Sequence, residues 1–310
     1  MDTIPGRDLV RRWPDNPLIT IDDLPIRCSD VWNAGVVKLD GECLLLITVE
    51  SLHGQTMIYR ASSRDGLHFE VDPEPFLAPS ECGPYRKYEN AGVRDPRVTR
   101  LDDTFYVTYV ADSDIGWRIG LVRTEDFQAA ERIGLLTQPD TKGGALFPEK
   151  IRGRYALLER PDPGMSIWVS YSDDLAFWGD SSVVITPRGG FWDAHRIGTG
   201  APPVRIDEGW LLLYYGEKMT SAGPLLRLGA AILDADDPSK VVARSNIPIL
   251  APREDYERIG DVTNVVFSCG AIVADGQVRI YYGGADSCIC VGTARLHDVV
   301  AVCLGSREGY

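Results

Sequence analysis

The chain is poor in histidine, in helical periodicity and in long apolar runs, and each shortage excludes a class of protein. Its four histidines, His53, His68, His195 and His297, show no metal-ligand spacing, so no metal is expected. No apolar stretch approaches the ~18 residues of a membrane-spanning helix. The first residues lack the apolar run of a secretory leader, and a cytoplasmic location is the expectation. The seven cysteines are scattered, with no Cys-x-x-Cys pair. Cys288 and Cys290 are expected on opposite faces of one strand, and neither a disulfide framework nor a zinc site is expected. No glycine-rich phosphate loop leads into a helix, and no nucleophile elbow occurs. Positive charge is also short. Against 45 Asp and Glu there are 32 Lys and Arg, a net charge of −13, which argues against nucleic acid or an anionic membrane as partner. A small cationic pocket inside an acidic protein is still allowed.

What is present is a series of short strands punctuated by Gly, Asp and Pro turns. Hydrophobic residues make up 44% of the 310, enough for a sizeable core. A unit recurs over residues 36–69, 98–127, 150–178, 203–233 and 270–296. Each copy has a strand, a polar turn, a strong aromatic or aliphatic strand, a loop, and a third strand. The third strand often ends in a Ser/Thr-x-Asp turn. Five diverged repeats of three or four strands predict an all-β, five-bladed β-propeller, because such a unit buries both sheet faces only by stacking on its neighbours. A β-sandwich or barrel of similar strand count is the alternative. The reading is one domain over residues 1–310, with an N-terminal extension of about thirty residues.

Asp95 is the leading candidate for chemistry. It lies in Gly92-Val93-Arg94-Asp95-Pro96-Arg97-Val98. Pro96 disfavours helix at Asp95, and in an extended chain Asp95 and Arg97 would share a face. A solvated ion pair with either arginine is the alternative. A second group is basic: Lys142, Arg160 and Arg196, whose charges suit a carboxylate or phosphate. A third is aromatic and acidic, Trp192-Asp193, Tyr214-Tyr215-Gly216 and Tyr281-Tyr282-Gly283-Gly284-Ala285-Asp286. Aromatic faces beside carboxylates suit sugar rings, although tyrosines also fill strand cores.

These stretches, together with Ala145 to Lys150, Trp192 to Pro203, Gly209 to Tyr214 and Asn264 to Phe267, resemble glycoside hydrolase family 130, the mannoside phosphorylases. The resemblance runs from about Asn33 to Leu296 and implies a five-bladed propeller. It also implies that Asp95 is the general acid, relaying its proton through a sugar hydroxyl to the glycosidic oxygen. Inorganic phosphate, the co-substrate, would be held by Lys142, Arg160 and Arg196 and would attack with inversion to give α-mannose 1-phosphate. No cofactor is implied. Asn33, Arg97, Trp192, Asp193, Tyr215, Asp261 and Asp286 become candidates for sugar contact. The chain departs from the family pattern at four places. Gly143 stands for the usual Asn, Glu159 and Tyr215 for the usual His, and Thr48 for an arginine.

Two alternatives remain. An inverting β-mannosidase would use water and a second carboxylate, Glu159, Asp261 or Asp286, about 6.5–9.5 Å from the acid. A non-catalytic glycan-binding propeller would need neither acid nor base. Linkage, acceptor sugar and oligomeric state are left open by the sequence.

Overall fold

The computed structural model describes residues 8–305, whose regular structure is almost entirely antiparallel sheet. Five units follow one another along the chain. The first comprises strands Asp30–Leu39, Glu42–Glu50, Thr56–Ser63 and Glu70–Leu77; the second Gly92–Leu101, Thr104–Asp112, Arg118–Thr124 and Glu131–Leu135. One parallel pairing, Thr56 to Gly92, joins these two units. The third comprises Thr141–Leu146, Tyr155–Pro161, Ile167–Ser172 and Gly179–Ile185. The fourth comprises Arg196–Thr199, Gly209–Thr220, Gly223–Leu233 and Val241–Arg244, with a short Val204–Ile206 strand beside it. The fifth is built from Val266–Ala274, Gln277–Gly284 and Cys288–Arg295, and its outer edge is covered by Arg11–Arg12 from the other end of the chain.

Local chemistry repeats with the units. Asp40-Gly41 and Asp275-Gly276 turn between first and second strands with positive φ at both central residues, the geometry that matches strand twist. Ser63, Thr124 and Ser172 end third strands and accept amides three residues on through their hydroxyls. Asp65, Asp126 and Asp174, two residues after them, also accept following amides. Each core cluster joins two units. Leu44, Leu46 and Ile58 meet Val93, Val107 and Tyr109; Ile119 and Leu121 meet Leu146 and Leu157. Further clusters join the third unit to the fourth and the fourth to the fifth. The last puts Tyr281, Ile289 and Val291 of the fifth unit on Val36, Leu45 and Ile47 of the first. Every unit thus buries both faces, as its apolar alternation on both sides requires.

A buried clamp recurs in three units. Glu89, Asp193 and Glu257 each precede a first strand and are fully buried. Each accepts a tyrosine hydroxyl from the second strand: Tyr109 at 2.6 Å, Tyr214 at 2.8 Å, Tyr282 at 2.9 Å. Each also pairs with an arginine of the outermost strand: Arg132 at 2.7 Å, Arg244 at 2.6 Å, Arg12 at 2.7 Å. The clamp ties the inner and outer edges of a unit through one desolvated carboxylate. In the fifth unit it also anchors the N-terminal strand.

Several sequence expectations need correction. The first strand of the third unit is Thr141–Leu146, whereas residues 150–153, where the sequence reading began the repeat, form a turn; Gly143-Gly144 weakens the strand signal of the true first strand. The fourth unit begins at Arg196, earlier than residue 203. The outer strands, including Glu70–Leu77 with its two prolines, were largely missed, because edge strands are polar and tolerate Pro. A helix, Leu296–Leu304, follows the final strand. Cys288 and Cys290 share one face, with Sγ atoms 3.7 Å apart, as residues two apart on a strand must. No helix among the described residues is long and apolar enough to cross a membrane.

Candidate active site

The first strands of all five units converge on one cavity of about 240 Å³. Trp32 and Asn33 come from the first unit, Arg94, Asp95 and Arg97 from the second, Lys142 and Gly143 from the third. Arg196 with Tyr215 and Glu217 come from the fourth, and Phe267 from the fifth, with Asp286 in the turn after its second strand. Pro224, Leu226, Val262 and Val265 complete an apolar wall.

Four of these strands are irregular at the cavity. Register slips fall at Trp32/Ala34, Arg94/Arg97, Lys142/Ala145 and Phe267/Gly270. Such bulges re-aim side chains that strict alternation would send elsewhere. Asn33, Asp95 and Asp286 have φ of 48°, 57° and 50°, a left-handed conformation that Asn and Asp adopt more readily than other side chains. The alternation argument for Asp95 and Arg97 therefore fails, although both line the cavity. The bulge at Asp95-Pro96 supplies the placement.

Asp95 is held on every side. Its Oδ1 accepts from Asn33 Nδ2 at 2.8 Å and its Oδ2 pairs with Arg94 at 3.3 Å. Its amide donates to the Thr48 hydroxyl at 2.9 Å. Arg94 is fixed in turn by Asp112 at 2.8 Å. Arg97 has its donors engaged by the carbonyls of Asp95, Thr199 and Gly200 at 2.8–3.1 Å. It packs 5.7 Å from the Phe267 ring centroid, so its role here is to fix the strand under Asp95.

Of the three cations expected together, Lys142 and Arg196 line the cavity and Arg160 does not. Lys142 lies 4.5 Å from the Trp117 ring centroid. Burial first, then the charges of Arg94 and Arg160, push its ammonium down to about 8. Arg160 sits opposite Lys142 on the paired strand, fully buried. Its Nη1 meets Asp162 while Nε and Nη2 have no partner. Arg196 pairs with Glu217 at 2.6 Å. Glu217 was missed by sequence reasoning, yet period-two alternation from Tyr215 puts it on the same face, directly opposite Arg196.

The remaining candidates divide. Tyr215 lines the cavity, packing on Gly198 and against Phe267. Trp192 is buried against Tyr214, Gly216 and Gly229, away from the cavity, and Asp193 is the fourth unit's clamp. Asp261 is exposed and outside the cavity lining. Glu159 accepts from Ser170 on the next strand and does not line the cavity. Gly143 has φ of 73°, and a Cβ there would stand 2.8 Å from Thr199 Oγ1, which accounts for glycine in place of the family's asparagine. Among the described residues no group of three or more His, Cys, Asp or Glu is placed to hold a metal.

Asp286 is the second cavity carboxyl. Its Oδ1 is buried without a partner. Burial first, then the Asp95 charge, push it up to about 7, against the opposing pull of Arg94. A carboxyl raised in the folded state stabilises the fold below its ordinary value near 3.8 and withdraws that support as pH climbs through about 7. Asp286→Asn should therefore gain thermal midpoint relative to the parent as pH rises from about 4 to about 7, and level off above that. Parallel midpoint-versus-pH curves for the two proteins would contradict this.

Comparison with known proteins identifies the family. The family profile described as beta-1,4-mannooligosaccharide phosphorylase, glycoside hydrolase family 130, matches residues 5–304. The chain is 38% identical over 244 residues to the beta-1,2-mannobiose phosphorylase of Listeria innocua, covering 77% of this chain and 66% of that protein. It is 33% identical over 307 residues to the beta-1,4-mannooligosaccharide phosphorylase of Ruminococcus albus, covering 95% and 90%. The solved complex of the Listeria innocua phosphorylase with beta-1,2-mannobiose superposes with a TM-score of 0.88 at 31% identity, covering 96% of this chain and 99% of that one. With a matching profile from residue 5 to residue 304, the chain belongs to glycoside hydrolase family 130.

Proposed function

We propose that the chain is a β-mannoside phosphorylase built as a five-bladed β-propeller. It cleaves β-linked manno-oligosaccharides with inorganic phosphate, inverting the anomeric centre to give α-mannose 1-phosphate. The cyclic order of the core clusters and the convergence of the first strands on one cavity support the propeller. The observation that carries the function is the pairing of Asp95 with Lys142 and Arg196 in one cavity. Inverting hydrolysis needs a second carboxylate to deprotonate water. Phosphate is already an anionic nucleophile, so cations that hold and orient it can replace that base. Asp95, positioned by Asn33, Arg94 and Thr48, is the acid toward the departing sugar. Asn33 Oδ1 and Asp286 Oδ1, both buried and without partners, offer acceptors to sugar hydroxyls, and the Phe267, Val265 and Leu226 wall offers an apolar face. Arg160 contributes charge from behind Lys142. Glu159, turned toward Ser170, is poorly placed to activate water. A cytoplasmic site of action suits a reaction that keeps the sugar phosphorylated.

Lys142→Met tests the phosphate half of this reading. The KM for phosphate should rise about 10–100-fold, the scale of a lost charge-assisted hydrogen bond, with little change in KM for the mannoside. In the parent, phosphate affinity should fall as pH passes about 8, where Lys142 loses its proton. Equal rises in both KM values, or mannoside cleavage indifferent to phosphate, would sink the assignment.

A further inference from the structure

The cation-bearing side of the cavity contains an acid that anion binding alone does not require. Glu217 is 4% exposed and lines the cavity with Lys142, Gly143 and Arg196. Its Oε2 takes both Nε and Nη2 of Arg196, at 2.9 and 2.6 Å, leaving the Nη1 side of that guanidinium for a ligand. Its Oε1 is 3.6 Å from His195 Nε2, beyond hydrogen-bond distance. An ionised carboxylate has lone pairs and no proton to offer. Toward a tetrahedral anion it repels every bare oxygen and accepts only from an oxygen that carries hydrogen. Near neutral pH inorganic phosphate always carries at least one hydroxyl. Sulfate carries none.

We propose that Glu217 is a specificity residue: its Oε1 accepts the hydroxyl of a protonated phosphate bound by Lys142 and Arg196, and it rejects tetrahedral dianions that lack one. The inference rests on the phosphorylase reading and adds to it a choice among anions. Arsenate, which keeps a hydroxyl, is admitted; sulfate and monofluorophosphate, which are hydroxyl-free dianions at this pH, are shut out by an unpaired repulsive contact.

The test is calorimetric titration of the intact parent chain at about pH 7.5 with phosphate, arsenate, sulfate and monofluorophosphate. Phosphate and arsenate should bind, and the other two at least about 100-fold more weakly, the scale set by a site whose polar group is left unmatched. Glu217→Gln, whose amide can donate, should narrow the sulfate-to-phosphate ratio to within about 5-fold. Loss of packing in the variant weakens both anions alike and leaves that ratio unmoved. Sulfate binding to the parent within about tenfold of phosphate overturns the proposal and needs no variant. An unchanged ratio in Glu217→Gln overturns it too. Failure of the phosphorylase reading looks different: the parent then binds neither phosphate nor arsenate, and both proposals fall together.

Discussion

Asp95→Asn should cleave β-mannosides roughly a thousand-fold more slowly than the parent, the loss expected when a positioned general acid is removed. Such a loss corresponds to about 4 kcal/mol of transition-state stabilisation. The substitution suits the test because asparagine tolerates the left-handed backbone that residue 95 occupies, with φ of 57°. The amide contact to Thr48 belongs to the backbone and survives. Arg94 keeps Asp112 as its partner, so no cation is stranded. The thermal midpoint should stay near that of the parent, and mannoside affinity should be largely retained. A variant that keeps a tenth or more of the parental kcat would show that the proton comes from elsewhere, with Asp286 the next group to examine.

The second large effect is on stability. Asp193→Ala should cost about 3–5 kcal/mol, the range for removing one partner of a buried ion pair. Its fully buried carboxylate neutralises two guanidiniums, Arg188 at 2.9 Å and Arg244 at 2.6 Å, and accepts the Tyr214 hydroxyl. Alanine would strand both charges and free a void beside Trp192. For a chain of this size the thermal midpoint should fall by roughly 5–8 °C. Below the transition the KM for the mannoside should barely change, since Asp193 does not line the cavity. Denaturant titration and steady-state kinetics on the same preparation read both quantities. A tenfold rise in KM with an unmoved unfolding midpoint would return Asp193 to the role of sugar contact that its sequence context suggested.

That reversal shows where the sequence is readable and where it is not. Asp95 is legible because its signal is local: acid, proline and arginine occupy three consecutive positions, although they lie at a bulge inside the strand Gly92–Leu101 and not ahead of it. The repeats are legible for the same reason, since hairpin turns and Ser/Thr-x-Asp turns are short-range devices. Asp193 is not, because its partner Arg244 lies about fifty residues away and only the folded unit brings it near. Arg160 misleads for a related reason. It neighbours Lys142 through strand pairing yet stands behind the cavity wall. The bulges at Asn33, Asp95 and Gly143 defeat alternation at the very positions that matter, and the glycines of residues 143–144 hide a first strand. Glu217 was within reach of a period-two argument from Tyr215. The Arg11–Arg12 strand, two residues of low strand propensity, carries no signal of its own and is held by Glu257 and the edge of the fifth sheet.

The departures from the family pattern also take on physical meaning. Thr48 replaces an arginine and holds the Asp95 amide. Gly143 is required by the approach of Thr199. Tyr215 packs on Phe267 in the cavity wall, and Glu159 faces away. None of the four leaves the cavity without cations, because Lys142 and Arg196 still line it.

The central claim is that phosphate, and not water, takes the mannosyl group. Phosphorus NMR of the parent chain incubated with a β-mannobiose and inorganic phosphate tests it most directly. The account predicts a growing α-mannose 1-phosphate signal, one equivalent per bond cleaved, and no cleavage when phosphate is left out. Free mannose released at the same rate in phosphate-free buffer, with no phosphate ester formed, would contradict it.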